Sequence, residues 1–542
     1  MDERGESRLY AALPTLYLLL FFAVPVLAVI AGALAAGGND AAGLAREAAR
    51  LASTDYYRNR IRFTLLQATA STGLTLLLGL PLAYVFSHYD FPGRRFLRAA
   101  YTAPFVLPAI VVALALHAYI GPRSLTGLDL LTPLGPTGAI LLAHVFYNTS
   151  LVLRVVGNHW ERLPPGFGEA ARTLGASRWR ALARVELPIL RPAIASAALL
   201  VFVFDLSSFG IIVLLGGPRT GTIETLIYQE LRSFSPHYGT AALLAMFQLL
   251  VTYLALTLFV VLQRRSRTHW TPRSRTERRP LPRPALALLV VATLLLTGPP
   301  IALVAAAFRY QGEWSARPFQ LLASSEATLG SYTAADAVAN SLRYAVATLV
   351  LALALASLAA LALNRARRAA WAEGLLLLPL GVSSIVVGLG LLLSWDGRFL
   401  PDLRTSGARI VLAHTLIAFP FASRILAPTL DAVPPALREA ARTLGARPFE
   451  VVRRIDLPLA YPALGVAAVY AFGASLGEFG ATLMLRRPET VTMPLAIFEG
   501  FTRLAPDARV QANALAAVLL VVALASFLLL ERLRIRAWGE FA

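Results

Sequence analysis

The segment from Leu13 to Ala36 carries no charged side chain over 24 residues. A helix of about 20 apolar residues spans the hydrocarbon core of a bilayer, so this segment predicts a transmembrane helix. Its apolar region is longer than the roughly 7–15 residues of a signal peptide, and we interpret it as a retained helix. The mean hydropathy of the chain, +0.63, is also too high for a soluble protein. The sequence therefore predicts a membrane protein.

Eleven further apolar segments follow, and together they predict an all-α polytopic membrane protein with about 12 transmembrane helices. The twelve segments lie near residues 11–36, 61–87, 99–121, 137–158, 190–216, 237–263, 284–308, 340–364, 371–395, 408–430, 460–486 and 508–531.

The stretch between the sixth and seventh segments, Gln263–Pro284, is Pro-rich and carries eight Arg and one Glu. Basic loops remain on the cytoplasmic side, which predicts a cytoplasmic linker at 264–283. Six spans precede the linker and six follow it, so both termini are expected in the cytoplasm. The chain is expected in the cytoplasmic (inner) membrane, with the lipid bilayer around it.

The composition excludes several classes of function. The chain has no Cys and no Lys, which excludes thiolate metal sites, Schiff-base lysines and a P-loop. No Ser–His nucleophile motif or cluster of metal ligands is evident, so neither an enzyme nor a metal site is predicted. The net charge of +19 lies in short loops between apolar segments, which favours membrane topology over nucleic-acid binding.

The octapeptide EAARTLGA begins at Glu169 and again at Glu439, 270 residues later. His144 and His414 have the same separation. The sequence therefore predicts two repeats, at 1–263 and 284–542. Because each repeat holds six segments, both have the same orientation, related by an axis along the membrane normal.

Each octapeptide lies in a loop that reads as helix, turn and helix. A Pro-Pro pair begins the first helix, and Gly175 or Gly445 is placed to end it in a left-handed conformation. Ser177 and Pro448 are expected to begin the second helices. We expect Pro188 and Pro458 to end those helices before the next span.

Both copies read E-A-A, three residues, G, nine residues, Ile or Val, one residue, L-P. This pattern, at 169–188 and 439–458, resembles the EAA loop of type I ABC-importer permeases, here in a fused two-half form. The resemblance implies that residues 163–192 and 433–462 are the first and second coupling loops, which contact an ATP-binding subunit. The contact residues it implies are Glu169, Ala170, Ala171, Gly175, Glu439, Ala440, Ala441 and Gly445.

The resemblance also implies partners. These are two copies of an ABC ATPase, which would use ATP and Mg²⁺, and an extracytoplasmic solute-binding protein. The chain itself is expected to bind no cofactor. An ion-coupled secondary transporter is the alternative class, since it would also show repeats and midplane charges. It would not require two matched coupling loops.

Two carboxylates interrupt equivalent apolar segments about one helical turn apart, Asp205 in the fifth segment and Glu478 in the eleventh. Charges inside a membrane are costly and often functional, so both are candidates to line the solute path. At the offset of 270, Asp205 aligns with Ser475 and Glu478 with Ser208, which are candidates too. The alternative is that local hydrogen bonds satisfy these groups. His144 and His414 complete the candidates, although a buried His is more often a hydrogen-bonded packing residue.

The segments around these carboxylates carry the resemblance that bears on the solute. Ser207–Leu249 and SLGEFGATLML are similar to thiamine permeases, and the latter also to sulfate and molybdate permeases. Ferric-iron permeases share the fused twelve-span plan and are the alternative. Carboxylates suit both a permanent cation and Fe(III).

Overall fold

The computed structural model describes residues 3–539 except 37, 39, 123, 164–165, 218–219, 266–278, 324–331, 366–375, 377, 396, 398–400, 404–405 and 504–505. The described chain is almost entirely helical, which confirms the predicted all-α membrane fold. Helices satisfy every internal backbone hydrogen bond within one segment, as an apolar solvent requires. Most of the predicted linker, 264–283, lies outside the described residues.

Ten described helices are long and apolar enough to cross a membrane, and a bent pair brings the number to eleven. The bent pair is the third predicted segment, Arg94–Val106 and Ala109–Ile120, with an angle of 116°. Pro108 causes the break, because Leu107 before it is extended, with ψ 138°. The ninth segment, 371–395, lies partly outside the described residues and ends in the short helix Ser384–Ser394. The expected count of 12 thus exceeds the number of described helices that span by length.

The described helices divide into two compact units that do not follow the repeat boundaries. The unit of the first coupling loop is Leu51–Leu226 with Leu250–Ala306. Its helices are Asp55–His88, Arg94–Thr102, Ala109–Ile120, Leu131–Arg162, Gly166–Thr173, Arg178–Ala181, Leu187–Leu206, Phe209–Leu215 and Arg283–Ala306, with a 3₁₀ turn at Ala103–Val106 and a π turn at Leu182–Glu186. Its short strands Tyr89–Asp90 and Arg279–Pro280 pair in parallel.

The unit of the second coupling loop is Met1–Arg50, Ile227–Leu249 and Ala307–Ala542. Its helices are Glu3–Leu18, Val24–Ala36, Arg317–Ala323, Ala334–Arg365, Ser384–Ser394, Ala408–Asp431, Pro435–Thr443, Pro448–Val451, Leu457–Gly477, Gly480–Leu485, Met493–Thr502 and Pro506–Gly539, with π turns at Leu19–Ala23 and Val452–Asp456 and 3₁₀ turns at Leu378–Gly381 and Pro488–Thr490. Strands Arg309–Tyr310 and Glu313–Trp314 form a hairpin. Helices Ala41–Ser53, Ile223–Arg232 and Tyr238–Arg265 are divided between the units.

Each unit contains the first helix of the other sequence repeat. The N-terminal helix packs on the second repeat: Ser7 donates to the carbonyl of Ala362 at 3.1 Å, and Tyr17 to that of Leu412 at 2.7 Å. Helix Arg283–Ala306 packs in the unit of the first repeat, where the Tyr101 hydroxyl donates to the carbonyl of Leu289 at 2.8 Å. The repeats at 1–263 and 284–542 stay a prediction about the sequence, and the spatial units exchange these helices.

Pro188 and Pro458 do not end the helices that follow the coupling loops, so this expectation was wrong. A π turn, Leu182–Glu186 or Val452–Asp456, directly precedes the Leu-Pro pair, and the helix continues to Leu206 or Gly477. Proline lacks an N–H and crowds the carbonyl four residues earlier. The wider π turn relieves that conflict, which allows each helix to run without interruption from loop to membrane.

Candidate functional site

The two coupling loops have matching backbones. Helices Gly166–Thr173 and Pro435–Thr443 end at Gly175 and Gly445, whose φ angles are +87° and +85°. In each copy the Gly amide and the amide after it donate to carbonyls at the helix end, at 3.0 Å. These paired bonds are the Schellman motif, which needs a residue that tolerates positive φ. The predicted glycine turn is therefore confirmed in both loops.

The predicted contact residues lie on an exposed surface. Glu169 and Glu439 are exposed, as are Ala170 and Ala440, while Ala171 and Ala441 are half-buried. Beside them project large apolar side chains from both helices of each loop. Leu174 and Leu444 are each 88% exposed, and Trp179 and Phe449 are 79% and 69% exposed. The two loops thus expose matching apolar patches at equivalent positions.

The second coupling loop is anchored by buried ion pairs. Asp456, fully buried, accepts from the Arg365 guanidinium at 2.9 Å and from that of Arg438 at 2.6 Å. Glu6 of the N-terminal helix pairs with Arg365 at 3.5 Å and with Arg442 of the loop at 3.2 Å. Five side chains from four segments thus fix this loop to the end of helix Ala334–Arg365.

The first coupling loop uses different chemistry at the equivalent positions. Glu186, the counterpart of Asp456, accepts from the Trp160 indole at 2.7 Å and lies 3.3 Å from His88 Nε2. Gly168 stands where the second loop has Arg438, and a Cβ there would lie only 2.8 Å from Glu186 Oε1. The glutamate therefore lies against Gly168, whereas the shorter Asp456 pairs with an arginine at the equivalent position.

Asp205 lies at a break in the fifth span, where helix Leu187–Leu206 stops and Phe209–Leu215 begins. Its carboxylate is fully buried and accepts from Asn148 Nδ2 at 2.6 Å, and its backbone carbonyl accepts from Gln67 Nε2 at 2.9 Å. The second carboxylate oxygen is buried without a hydrogen-bond partner among the described residues. This carboxylate is therefore incompletely satisfied.

His144 holds this break together. Its Nε2 lies 2.8 Å from the Ser208 hydroxyl and its Nδ1 lies 2.9 Å from the Ser71 hydroxyl. The same Nδ1 is 3.5 Å from Asp205. The imidazole thus links the second, fourth and fifth predicted segments of the chain, in agreement with the interpretation of a hydrogen-bonded packing residue.

Glu478 occupies the corresponding break in the eleventh span but is well satisfied. Its carboxylate accepts from the backbone amides of Ala481 at 2.9 Å and Thr482 at 3.0 Å, and from the Thr482 hydroxyl at 3.0 Å. It therefore caps helix Gly480–Leu485. His414 Nε2 lies 3.3 Å from this carboxylate, and its Nδ1 lies 2.8 Å from the Ser475 hydroxyl.

The six path candidates thus gather into two groups, one at each break. His144, Asp205 and Ser208 lie together in one unit, and His414, Ser475 and Glu478 in the other. Sequence reasoning missed Asn148, Gln67 and Thr482, because short polar residues in an apolar segment give no periodic signal. Both carboxylates are buried in this conformation, so solute could reach them only if the breaks move.

The two carboxylates should respond differently to neutralisation. Asp205→Asn keeps the shape and should cost less than about 1 kcal/mol of stability, while it impairs transport. Glu478→Gln sets an NH₂ group against N–H donors and should destabilise by about 1–3 kcal/mol. Thermal unfolding and vesicle uptake of both variants check this. A loss of folding by Asp205→Asn as large as that by Glu478→Gln would contradict it.

Comparison with known proteins agrees with this architecture. Residues 75–268 and 352–536 each match the family described as "Binding-protein-dependent transport system inner membrane component". The chain is 30% identical to the thiamine transport system permease protein ThiP of Brucella abortus (strain 2308), covering 94% of both chains. It is 27% identical to ThiP of Escherichia coli (strain K12), over 82% of this chain and 83% of that protein. The sulfate transport system permease protein CysT of the same strain is 32% identical over 38% of this chain and 76% of its own.

The family match occurs twice, once in each predicted repeat, and the two matches together cover well over half of the chain. Each match includes one coupling loop and the helix break beside Asp205 or Glu478. The chain therefore belongs to the inner membrane components of binding-protein-dependent transport systems, as a fused, two-half ABC-importer permease.

Proposed function

We propose that this chain is the translocating subunit of an importer for thiamine or a thiamine phosphate. The similarity to a thiamine permease over 94% of both chains is the observation that carries the proposal. Thiamine is a permanent cation, and the two buried carboxylates, Asp205 and Glu478, suit it. The breaks beside them supply flexible points at which the fifth and eleventh spans can bend to open a path.

Each coupling loop, on this proposal, seats in a cleft of one of two identical ATPase subunits. The exposed Glu169 and Glu439 pair with basic groups there, and the apolar patches around Leu174 and Leu444 bury against the partner. The ATPase uses ATP and Mg²⁺, and its closure moves the loops. Because each loop continues into its span through a π turn, that movement reaches the helix break directly.

The remaining parts follow from this arrangement. An extracytoplasmic binding protein delivers the solute, and the coupling loops and both termini lie in the cytoplasm. The termini agree with the basic linker, since an even number of spans precedes and follows it. Solute then moves inward by alternating access.

Uptake into vesicles that contain the complete importer tests the proposal. With the binding protein outside and ATP available to the ATPase, labelled thiamine or thiamine phosphate should accumulate and Fe(III) should not. Binding of the same three ligands to the isolated binding protein provides an independent measurement. Accumulation of Fe(III) alone would identify Fe(III), and not thiamine, as the substrate. Gradient-driven uptake without the ATPase would refute the importer mechanism.

A further inference from the structure

A basic pocket lies far from the second coupling loop, in the same unit. Its cavity of about 260 Å³ is lined by Tyr332, Arg486, Arg487, Pro488, Val491, Glu499 and Arg503. Tyr332 lies two residues before helix Ala334–Arg365, whose other end contacts the coupling loop. A helix of that length extends roughly 45–50 Å, which places the pocket at the opposite membrane face.

Both oxygens of the single carboxylate in the pocket lining already have partners. Glu499 Oε1 pairs with Arg486, and its Oε2 accepts from the Tyr332 hydroxyl at 2.6 Å. Burial, and then this hydrogen bond, raise the pKa of Tyr332, so the phenol remains a donor to Glu499. Arg487 and Arg503 form no ion pair within the described part of the chain. Three guanidiniums against one carboxylate leave a formal charge of +2.

Hydrogen bonds hold the backbone of the turn that follows Arg486 and Arg487. Asn340 Nδ2 donates to the carbonyls of Glu489 at 3.0 Å and Val491 at 3.1 Å, and the Arg487 amide donates to the Thr490 hydroxyl at 3.0 Å. These bonds fix the segment that carries Arg486 and Arg487. A fixed backbone reduces the entropy lost on binding and favours a defined ligand over loose counterions.

The charge is specific to the second half. At the offset of 270, the four charged positions of the pocket correspond to Gly216, Gly217, Gln229 and Ser233. The first half therefore carries no charged side chain at these four positions, so this set of charges belongs to the second half alone. A function particular to this half explains their presence.

We infer that the arginine pocket binds a phosphate group, carried by a phosphorylated solute or by a lipid headgroup. A phosphate monoester carries a charge of about −1.5 to −2 near neutral pH, which matches +2 better than a single carboxylate does. Guanidinium groups bind phosphate oxygens in a bidentate manner. The cavity is smaller than the roughly 300–1,000 Å³ of sites for drug-sized ligands, so it suits one group of a larger molecule.

Phosphate binding to the purified importer in neutral detergent is the test, with labelled orthophosphate and pyrophosphate as probes. Arg487→Gln and Arg503→Gln should each weaken binding by about tenfold, since each removes a charge-assisted contact. Arg317→Gln, an exposed arginine outside the pocket, is the matched control and should bind as the parent does. All three positions are exposed, so folding should be unaffected.

Two further arms distinguish the sources. If a solute phosphate binds, thiamine phosphate uptake should fall in Arg487→Gln while thiamine uptake is unchanged; this arm alone rests on the proposed function. If a lipid headgroup binds, phosphatidylglycerol vesicles should compete with orthophosphate and phosphatidylcholine vesicles much less. Absence of saturable binding in the parent, or equal binding by all variants, overturns the inference. Weakened docking of the binding protein without any phosphate effect also overturns it.

Discussion

Replacing Glu169 and Glu439 together with arginine should abolish ATP-driven uptake and leave the protein folded. Both carboxylates are exposed on the coupling loops, and substitutions of exposed side chains usually change stability by about 0.5 kcal/mol or less. Reversal of charge, by contrast, repels any basic group that each Glu meets on the ATPase. The measurements are uptake by vesicles, basal ATPase activity and thermal unfolding.

Two controls separate coupling from general damage. The charge reversal Glu313→Arg, in the hairpin Glu313–Trp314 outside both coupling loops, should leave uptake intact. Each single coupling variant should retain partial activity, because the other loop still engages its ATPase. Normal uptake by the double variant would refute a coupling role for these residues, while loss of folding would show that they are structural.

Replacing Asp456 with asparagine should destabilise the protein by about 3–5 kcal/mol, because it leaves Arg365 and Arg438 buried without their shared carboxylate. Glu6 pairs with Arg365 as well, but it lies farther away and cannot serve both guanidiniums. The second coupling loop should detach first, because Arg438 belongs to its helix. Thermal unfolding in detergent and protease cleavage within 433–462 measure the two effects.

Asp431→Asn is the matched control, since that side chain is exposed and an asparagine oxygen can still accept the hydrogen bond from Asn364. This substitution should change the free energy of unfolding by roughly 0.5 kcal/mol or less. The unfolding temperature of Glu6→Gln should fall between those of the two variants, because Arg365 still pairs with Asp456. Equal unfolding temperatures for Asp456→Asn and Asp431→Asn would show that the buried pairs contribute no stability.

Local signals in the sequence predicted the coupling loops well. Gly175 and Gly445 adopt the left-handed conformation that a helix end requires, and Ser177 caps its helix by accepting from the Arg180 amide. Such features depend on residues within one turn of each other. The prediction that Pro188 and Pro458 end their helices failed. In each loop a single π turn, which has no recognised sequence signal, accommodates a proline that would otherwise end the helix.

Contacts between segments that lie far apart in the chain could not be predicted from the sequence. Asp205 and Glu478 were expected in equivalent spans, yet one carboxylate, that of Glu478, caps a helix and the other lacks a full set of donors. That difference comes from Ala481 and Thr482 on one side and from Asn148 on the other. Likewise, nothing in the hydropathy of the first span indicates that it packs with the second repeat.

That exchange of first helices has a consequence for biosynthesis. The partner of Ser7 is synthesised 355 residues after it. At about 5–20 residues per second, the N-terminal helix waits roughly 20–70 seconds before its binding surface exists. During this time it must remain in the membrane as a solitary span, and side chains that are later buried, such as Tyr17, contact lipid or an insertion factor instead. Neither half can therefore complete its fold before most of the chain has been translated.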